Sequence, residues 1–505
     1  MTSSFWKQGI KQASIIIGAV TITSQLFGLI REAVIANYFG TSAEYDILLV
    51  ALAVPLMVAS ILFAAIPSAS IPHLQQTSAT GTRNIFRSTL FNISTLLIFG
   101  VTIAVYLAMP LLGDLLAQGM DEEGVNAVVR FGRLFCLLIP LRSYESLFRS
   151  FCHVKHHFVF PTVAAVGFNI AIIIILLTSF PSLGSLSFIL AWVVGMFVQM
   201  LIVGVPAYLI HKRAAVAKAV SSFPTGSFLR FLGVIVIIES IGLTLDSFDR
   251  YMGGIFLEPG YVSATYYANI VYFIPLRIVI YSLATAMFPT FSEQAVENDR
   301  RGLATLYHRA GALCVLLIIP AAVFLYLFRN EIIWLLFERG RFVIESRLMT
   351  VEFLSYLLIG LFFNSIFLLQ VRVFYALKSW RFFIIVRATS MGLKVAIGLL
   401  LINSNWALAL AGGTVALFVL AFFALEGYLI IAKKLVYSTD DRKLLARAAL
   451  IAVSTVAVMT GGDYLLTQFV DMHRLVTGAV VGITGLSLLV MLDQKLCVSG
   501  INLKK

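Results

Sequence analysis

The sequence predicts an all-α membrane protein of about fourteen transmembrane helices, arranged as two six-helix pseudo-repeat lobes plus a C-terminal helix pair. Three observations predict it. The chain is 60% hydrophobic and 12% charged, with a mean hydropathy of +0.95, which is far too little polar surface to coat a water-soluble globule. Apolar runs of membrane-crossing length alternate with short basic connectors along all 505 residues. The stretch Leu26 to Leu56 also returns in the second half: Arg250 stands for Arg31, Gly260 for Gly40 and Pro275 for Pro55, and Gly40 to Pro55 has the same spacing as Gly260 to Pro275.

A hydrocarbon core about 30 Å thick needs roughly 20 residues of helix. On that scale the spans fall near 13–38, 45–72, 89–112, 128–150, 158–180, 186–210, 228–252, 262–290, 310–328, 350–374, 381–402, 407–432, 445–462 and 474–492. The N-terminal MTSSFWKQGIKQ has the charged start of a signal peptide, but the apolar run after it passes through Arg31 without a cleavage site and reads as an uncleaved first span. Lysine and arginine collect on the side of the N-terminus, as at Lys7, Lys11, Arg83, Arg87, Lys212, Arg213, Arg300, Arg301, Lys433, Lys434, Lys504 and Lys505. The opposite side has Arg329, Arg339, Arg341, Arg347 and Arg474. Both termini are therefore expected in the cytoplasm. The longest connections, near 211–227 and 291–309, are too short to fold into an extramembrane domain.

The repeat divides the chain into an N-terminal lobe at 1–220, a C-terminal lobe at 221–434 and an appended pair with its tail at 435–505, set off by KKLVYSTDDRKLLAR. The net charge of +12 is scattered between apolar spans, whereas a nucleic-acid binder gathers it on one domain or stripe, so nucleic acid is excluded as a partner. Cys136, Cys152, Cys314 and Cys497 show no metal-ligand or paired spacing and read as buried packing. His153, Lys155, His156 and His157 read as a wet, positive connector. No metal or cofactor is expected, and there is no Gly-rich phosphate loop of the nucleotide-binding kind.

Charges inside apolar spans carry the functional signal, because each costs about 2.5–3.5 kcal/mol near a bilayer centre even on lenient scales. Arg31, Glu32 and Asp46 lie in the first two spans. Span 7 carries Glu239, Asp246, Asp249 and Arg250, with Asp246 and Arg250 at salt-bridge spacing. Span 4 has Arg142, Glu145 and Arg149 at 3-and-4 spacing, span 8 has Arg277, and span 11 has Arg387 and Lys394. Structural ion pairs and snorkelling explain charges near span ends, such as Arg130, Arg149, Arg372 and Arg387. Arg31, Glu239, Asp246, Arg250, Arg277 and Lys394 sit deeper and read as lining a cavity. Cations exceed anions among these groups, so the enclosed ligand is expected to be anionic, and guanidinium forks suit phosphate. The candidate substrate-binding residues are Arg31, Arg250, Arg277, Lys394 and Arg142; the candidate gating or ion-coupling residues are Asp46, Glu32, Glu239 and Asp246. Pro55, Pro67, Pro72, Pro275 and Pro289 would kink spans 2 and 8, and Tyr266 and Tyr267 stand at the start of span 8.

Gly28-Leu-Ile-Arg31-Glu32, then Phe39-Gly40, Asp46 and Pro55, resembles the first two helices of the MurJ/MviN lipid II flippases of the MOP exporter superfamily. Further similarity lies in Tyr266-Tyr267-Ala268 with Pro275, in Leu336-Phe337-Glu338-Arg339-Gly340-Arg341-Phe342, and in Phe374-Tyr375-Ala376-Leu377. The resemblance implies a two-lobed transporter of the bacterial inner membrane. It would move an undecaprenyl-pyrophosphate-linked saccharide from the cytoplasmic to the periplasmic leaflet by alternating access. Membrane lipids would be its surroundings and a monovalent ion a candidate coupling partner, and no oligomeric state is implied. Arg31 matches a cavity arginine of the family, Asp46 an acidic residue at the outer end of span 2, and the last two helices the pair that grooves the lipid tail. The chain departs from the family at Ser24-Gln25, at Val58, Ala59 and Ser60 in place of a basic pair, and at Asn269, Ile270 and Phe273. Export of an exopolysaccharide or O-antigen repeat unit is the alternative these departures leave open. A multidrug-type antiporter shares the helical layout, and a membrane glycan enzyme would need larger outer loops.

Overall fold

The computed structural model describes residues 10–79, 83–154, 157, 159–212, 226, 232, 233, 236, 240, 248–256, 258–377, 379–469 and 473–496. Among these residues every regular element is helical: α1 (Ile10–Phe39), α2 (Ala43–Ala79), α3 (Arg83–Leu116), α4 (Glu122–Phe135), α5 (Leu138–Val154), α6 (Val159–Leu183) and α7 (Leu186–Lys212) come first. After the span-7 region follow α8 (Tyr261–Pro275), α9 (Tyr281–Val296), α10 (Arg300–Leu327), α11 (Arg329–Phe337), α12 (Ile344–Leu358), α13 (Leu361–Ala376), α14 (Trp380–Leu401), α15 (Gly413–Ile431), α16 (Thr439–Phe469) and α17 (Arg474–Leu496). Eleven helices are long and apolar enough to cross a membrane, or twelve if α12 and α13, bent by 57° at their break, form one span. The expected count of fourteen is not reached among the described residues. The first expected span corresponds to the 30-residue α1, and most of the seventh, with Glu239 and Asp246, lies outside the described residues.

Local chemistry sets the helix ends. The Asp121 carboxylate accepts from Gly124 N at 2.9 Å and opens α4, and Asp299 does the same for Gly302 N at 2.9 Å at the start of α10. Because of that cap α10 begins at Arg300, so most of the connection expected at 291–309 is helix. Pro275 has no N–H to give, and the chain passes from α8 into a π-helical turn at Leu276–Ile280 before α9. Pro55, its counterpart in the repeat, stays inside the single helix α2.

The chain forms two compact units, one of Met1–Ser263 with Leu336–Val343 and the other of Ala264–Leu335 with Ile344–Lys505. The expected lobe boundary at 220/221 lies outside the described residues. In the first unit, Ala59, Leu62, Ala65 and Ile66 of α2 pack with Ile139, Leu147 and Phe151 of α5 and with Ala164 and Val203. Small residues let these helices approach closely, as membrane packing requires. Leu96, Phe99, Ile103, Leu107 and Leu111 of α3 stay exposed, the pattern of a helix facing hydrocarbon. At one end of this unit Phe39, Tyr45, Phe135 and Phe188 form a cluster of edge-on and stacked rings. Segment 336–343 docks beside it: Arg341 N donates to Asn37 O at 2.9 Å. Gly340 (φ 58°) and Gly40 (φ 57°) make that approach, since a Cβ on either would run into the backbone of the other segment.

In the second unit Ala312 and Leu316 of α10 pack on Ala448 and Ile451 of α16 and Leu489 of α17. The helix pair is tied at both ends. Arg474 bonds Glu331 at 3.2 Å and Asp463 at 2.6 Å. At the other end His308 Nδ1 lies 3.1 Å from Asp441 Oδ2, and the His308 ring stacks on Tyr437 at 3.7 Å.

Candidate functional site

Arg31 occupies a polar box in the first unit built from three helices. Adjacent residues on a helix point apart, yet the Arg31 guanidinium turns back onto Glu32, its Nε donating to Glu32 Oε1 at 3.1 Å and a second nitrogen closing the ion pair. A third nitrogen donates to Asn169 Oδ1 of α6 at 2.8 Å, and Asn169 Nδ2 donates to Ser24 O of α1 at 3.0 Å. The rings of Phe168 and Trp192 lie 5.5 and 5.8 Å from the guanidinium carbon, within cation–π range. Arg31 and Glu32, expected in different roles, thus form one charge-matched pair.

Asp46 sits at the start of α2 and is buried. Its Oδ2 accepts from Gly260 N at 2.6 Å and its Oδ1 from Ser263 N at 2.7 Å, so one carboxylate takes two of the amide donors that the start of α8 leaves unpaired. Gly260 holds φ 99°, which aims its N–H at the carboxylate, and Ser263 Oγ returns a bond to Gly260 O at 3.1 Å. A negative charge at a helix N-terminus is also favoured by the helix dipole.

The other expected site residues are dispersed. Arg142 lies on α5, with its guanidinium over Phe63 of α2. Arg250 is half-buried in the helical residues 248–256 of the first unit. Arg277 is exposed in the π-helical turn, over Phe273 at 5.7 Å. Lys394 is only 3% exposed, and a Cβ on Gly413 would meet its carbonyl oxygen at 3.0 Å. Both Arg277 and Lys394 belong to the second unit, and Glu239 and Asp246 lie outside the described residues.

Sequence reading missed Asn169, Phe168 and Trp192 around Arg31. The one legible signal was an amide in the otherwise apolar run of α6. It also missed a polar network in the second unit. Glu426 of α15 accepts from Tyr307 OH at 2.5 Å, Tyr437 OH at 2.6 Å and Gln370 Nε2 at 3.1 Å. Tyr437, in the connector ahead of α16, has its hydroxyl pKa raised, first by burial and then by the Glu426 carboxylate. Glu426 is the single acid of α15, which was the available signal.

A family model for the lipid II flippase MurJ matches residues 35–483, nearly the whole chain. The chain belongs to the lipid II flippase MurJ family. It is 23% identical over 380 residues to a probable lipid II flippase MurJ of Aquifex aeolicus, covering 73% of this chain and 72% of that one. It is 24% identical over 410 residues to the corresponding Thermotoga maritima protein, covering 79% and 82%. A solved structure of lipid II flippase MurJ in an inward closed conformation superposes with a TM-score of 0.77 at 20% identity, over 95% of this chain and 98% of that one. An inward-facing multidrug resistance MATE transporter of the MOP superfamily gives 0.65 at 14% identity, over 85% and 99%. The MurJ fold and the multi-pass membrane character expected from the sequence are both present; the pairing of Arg31 with Glu32 is a feature that sequence reading did not anticipate.

Proposed function

We propose that this MurJ-family chain is a flippase that carries an undecaprenyl-pyrophosphate-linked saccharide of the lipid II type from the cytoplasmic to the outer leaflet of the bacterial inner membrane. The observation that carries the reading is the family match across residues 35–483. The cations in its membrane-spanning segments support it, because guanidinium and ammonium groups held in apolar surroundings suit a diphosphate headgroup. Arg31, Arg250, Arg277 and Lys394 are the proposed headgroup contacts. Asp46 is a proposed gating residue: its two bonds to the start of α8 must break for that end of the first unit to open. Glu32, Glu239 and Asp246 are proposed to share gating or coupling to a monovalent ion. Movement breaks no covalent bond and so needs no catalytic group.

Both termini are proposed to be cytoplasmic, with lobes at 1–220 and 221–434 and the helix pair at 435–505 gripping the polyprenyl tail. Export of an exopolysaccharide or O-antigen unit is the second reading, favoured by the uncharged Val58, Ala59 and Ser60 and by Asn269, Ile270 and Phe273. Native mass spectrometry of the full chain in nanodiscs tests the choice. A co-purifying lipid-linked saccharide bearing a peptide supports lipid II, one bearing only sugars supports the second reading, and a bound organic cation in its place refutes both.

A further inference from the structure

Helices α2 and α5 of the first unit pack along one another, and α5 turns three charged side chains toward α2. Arg142, Glu145 and Arg149 recur at helical spacing and so share a face. The register is fixed by Ser146 Oγ, which donates to Phe63 O at 2.6 Å. As a result both guanidiniums lie over one ring: the Arg142 carbon is 4.5 Å and the Arg149 carbon 5.1 Å from the centre of Phe63.

The bonding within this group is unequal. Arg149 makes three bonds, with Nε and a terminal nitrogen on Glu145 Oε1 at 3.1 and 2.6 Å and a longer bond from that terminal nitrogen to Pro161 O at 3.4 Å. Among the described residues Arg142 makes no hydrogen bond, and its buried Nε has no acceptor; the second oxygen of Glu145, Oε2, is likewise buried with no donor. Two guanidiniums against one carboxylate also leave a positive charge uncompensated within the cluster. A structural ion pair needs only Glu145 and Arg149, and the Phe63 ring under Arg142 offers its edge N–H groups no acceptor, so neither accounts for the unused Arg142 donors. Nor does snorkelling, since Arg142 stands about three helical turns, roughly 16 Å, from the end of the span at His153.

We propose that Arg142, Arg149 and Glu145 around Phe63 form an anion subsite that takes the phosphate of a glycosyl phosphate headgroup. The unused Arg142 fork donates to phosphate oxygens, and Glu145 Oε2 accepts from a sugar hydroxyl. A ligand that brings an acceptor and a donor together satisfies both orphaned atoms at once, which a simple inorganic anion does not. The half-buried Met57, Ser60, Ala64 and Pro67 of α2 continue this face along the helix. The inference rests on the flippase reading and specifies which side chains of the first unit would hold its substrate.

The test is titration of the full chain in nanodiscs by native mass spectrometry, with undecaprenyl-pyrophosphoryl disaccharide as the probe and UDP-N-acetylglucosamine, inorganic pyrophosphate and phosphatidylglycerol as separate arms. Arg142→Gln is expected to weaken probe binding at least tenfold, and Arg142→Lys, which keeps a point charge without the fork, by a smaller factor. The melting temperature of the ligand-free protein should stay level or rise in Arg142→Gln, because the lost charge was buried with no hydrogen-bond acceptor; a structural arginine would lower it. Equal probe binding by wild type and Arg142→Gln overturns the subsite while leaving the flippase reading intact. Failure of both Arg142 variants to fold assigns Arg142 to structure and overturns the subsite too. Failure of the wild type to bind the probe sinks the flippase reading itself. If only the soluble phosphates or phosphatidylglycerol lose affinity in Arg142→Gln, the headgroup assignment is wrong.

Discussion

Replacing Asp46 by asparagine keeps the volume of the side chain but removes its charge and one of its two acceptor oxygens. In the native protein those oxygens take Gly260 N at 2.6 Å and Ser263 N at 2.7 Å. Hydrogen bonds to a charged group contribute roughly 1.5–3 kcal/mol each, and the interaction of a buried carboxylate with a helix N-terminus adds up to about 2 kcal/mol. Asparagine retains one neutral acceptor and points an amide NH2 at the other N–H. The local loss is then about 2–4 kcal/mol, a factor of roughly 30 to 1,000 in the opening equilibrium at the start of α8. Hydrogen exchange followed by mass spectrometry in nanodiscs, read on the peptide spanning Gly260 and Ser263, measures this directly. Exchange there should accelerate by that factor in Asp46→Asn, while peptides from α10 and α16 stay unchanged. Protection within threefold of wild type would refute the view that this carboxylate holds the end of the helix.

Arg31→Gln is expected to lower both translocation and folded yield, since it breaks the pairing with buried Glu32. Adding Glu32→Gln should restore yield but not transport, and a double variant that transports normally would make Arg31 structural; a proteoliposome assay beside size-exclusion profiles reads both. Tyr437→Phe removes a bond to Glu426 worth roughly 1.5–3 kcal/mol and should lower the melting temperature by a few degrees while leaving the Arg474 end of the helix pair protected in hydrogen exchange. Gly340→Ala, at φ 58° and against the Asn37 carbonyl, should speed exchange at the end of α1, measured on the peptide containing Asn37. Dissipating an inside-negative potential should slow outward movement of the anionic headgroup, because each net charge gains about 2.3 kcal/mol per 100 mV; an unaltered rate in ionophore-treated vesicles would count against that drive.

Eleven spans, or twelve with the bent pair, were legible because a bilayer demands long apolar helices whatever the tertiary structure. What the sequence hid was where helices continue beyond the apolar core or break within it. Arg300, Arg301 and Arg309 read as a basic connector, but the Asp299 cap starts α10 ahead of them and all three lie in the helix. Between α12 and α13 the 57° bend at Ile359–Gly360 has no proline to announce it. Pro55 and Pro275 look equivalent in the repeat, yet one stays in a continuous helix and the other precedes a π-helical turn. For the site, the unusual residues were visible and their partners were not. Arg31 announces itself as a charge in an apolar run, but Asn169 is 138 positions away, and no local pattern links two such residues. Arg142 and Arg149 were visible as a stripe, whereas the ring they share, Phe63, is one of many phenylalanines in the chain.

That this chain carries a pyrophosphate-linked saccharide across a bilayer without altering it is a claim that reconstitution decides. Purified protein in liposomes with fluorescent undecaprenyl-pyrophosphoryl saccharide in one leaflet should expose the label to an impermeant quencher at the opposite face, with the lipid recovered chemically intact. Label that stays in its original leaflet in wild-type vesicles, or lipid recovered with new or broken glycosidic bonds, would contradict the claim.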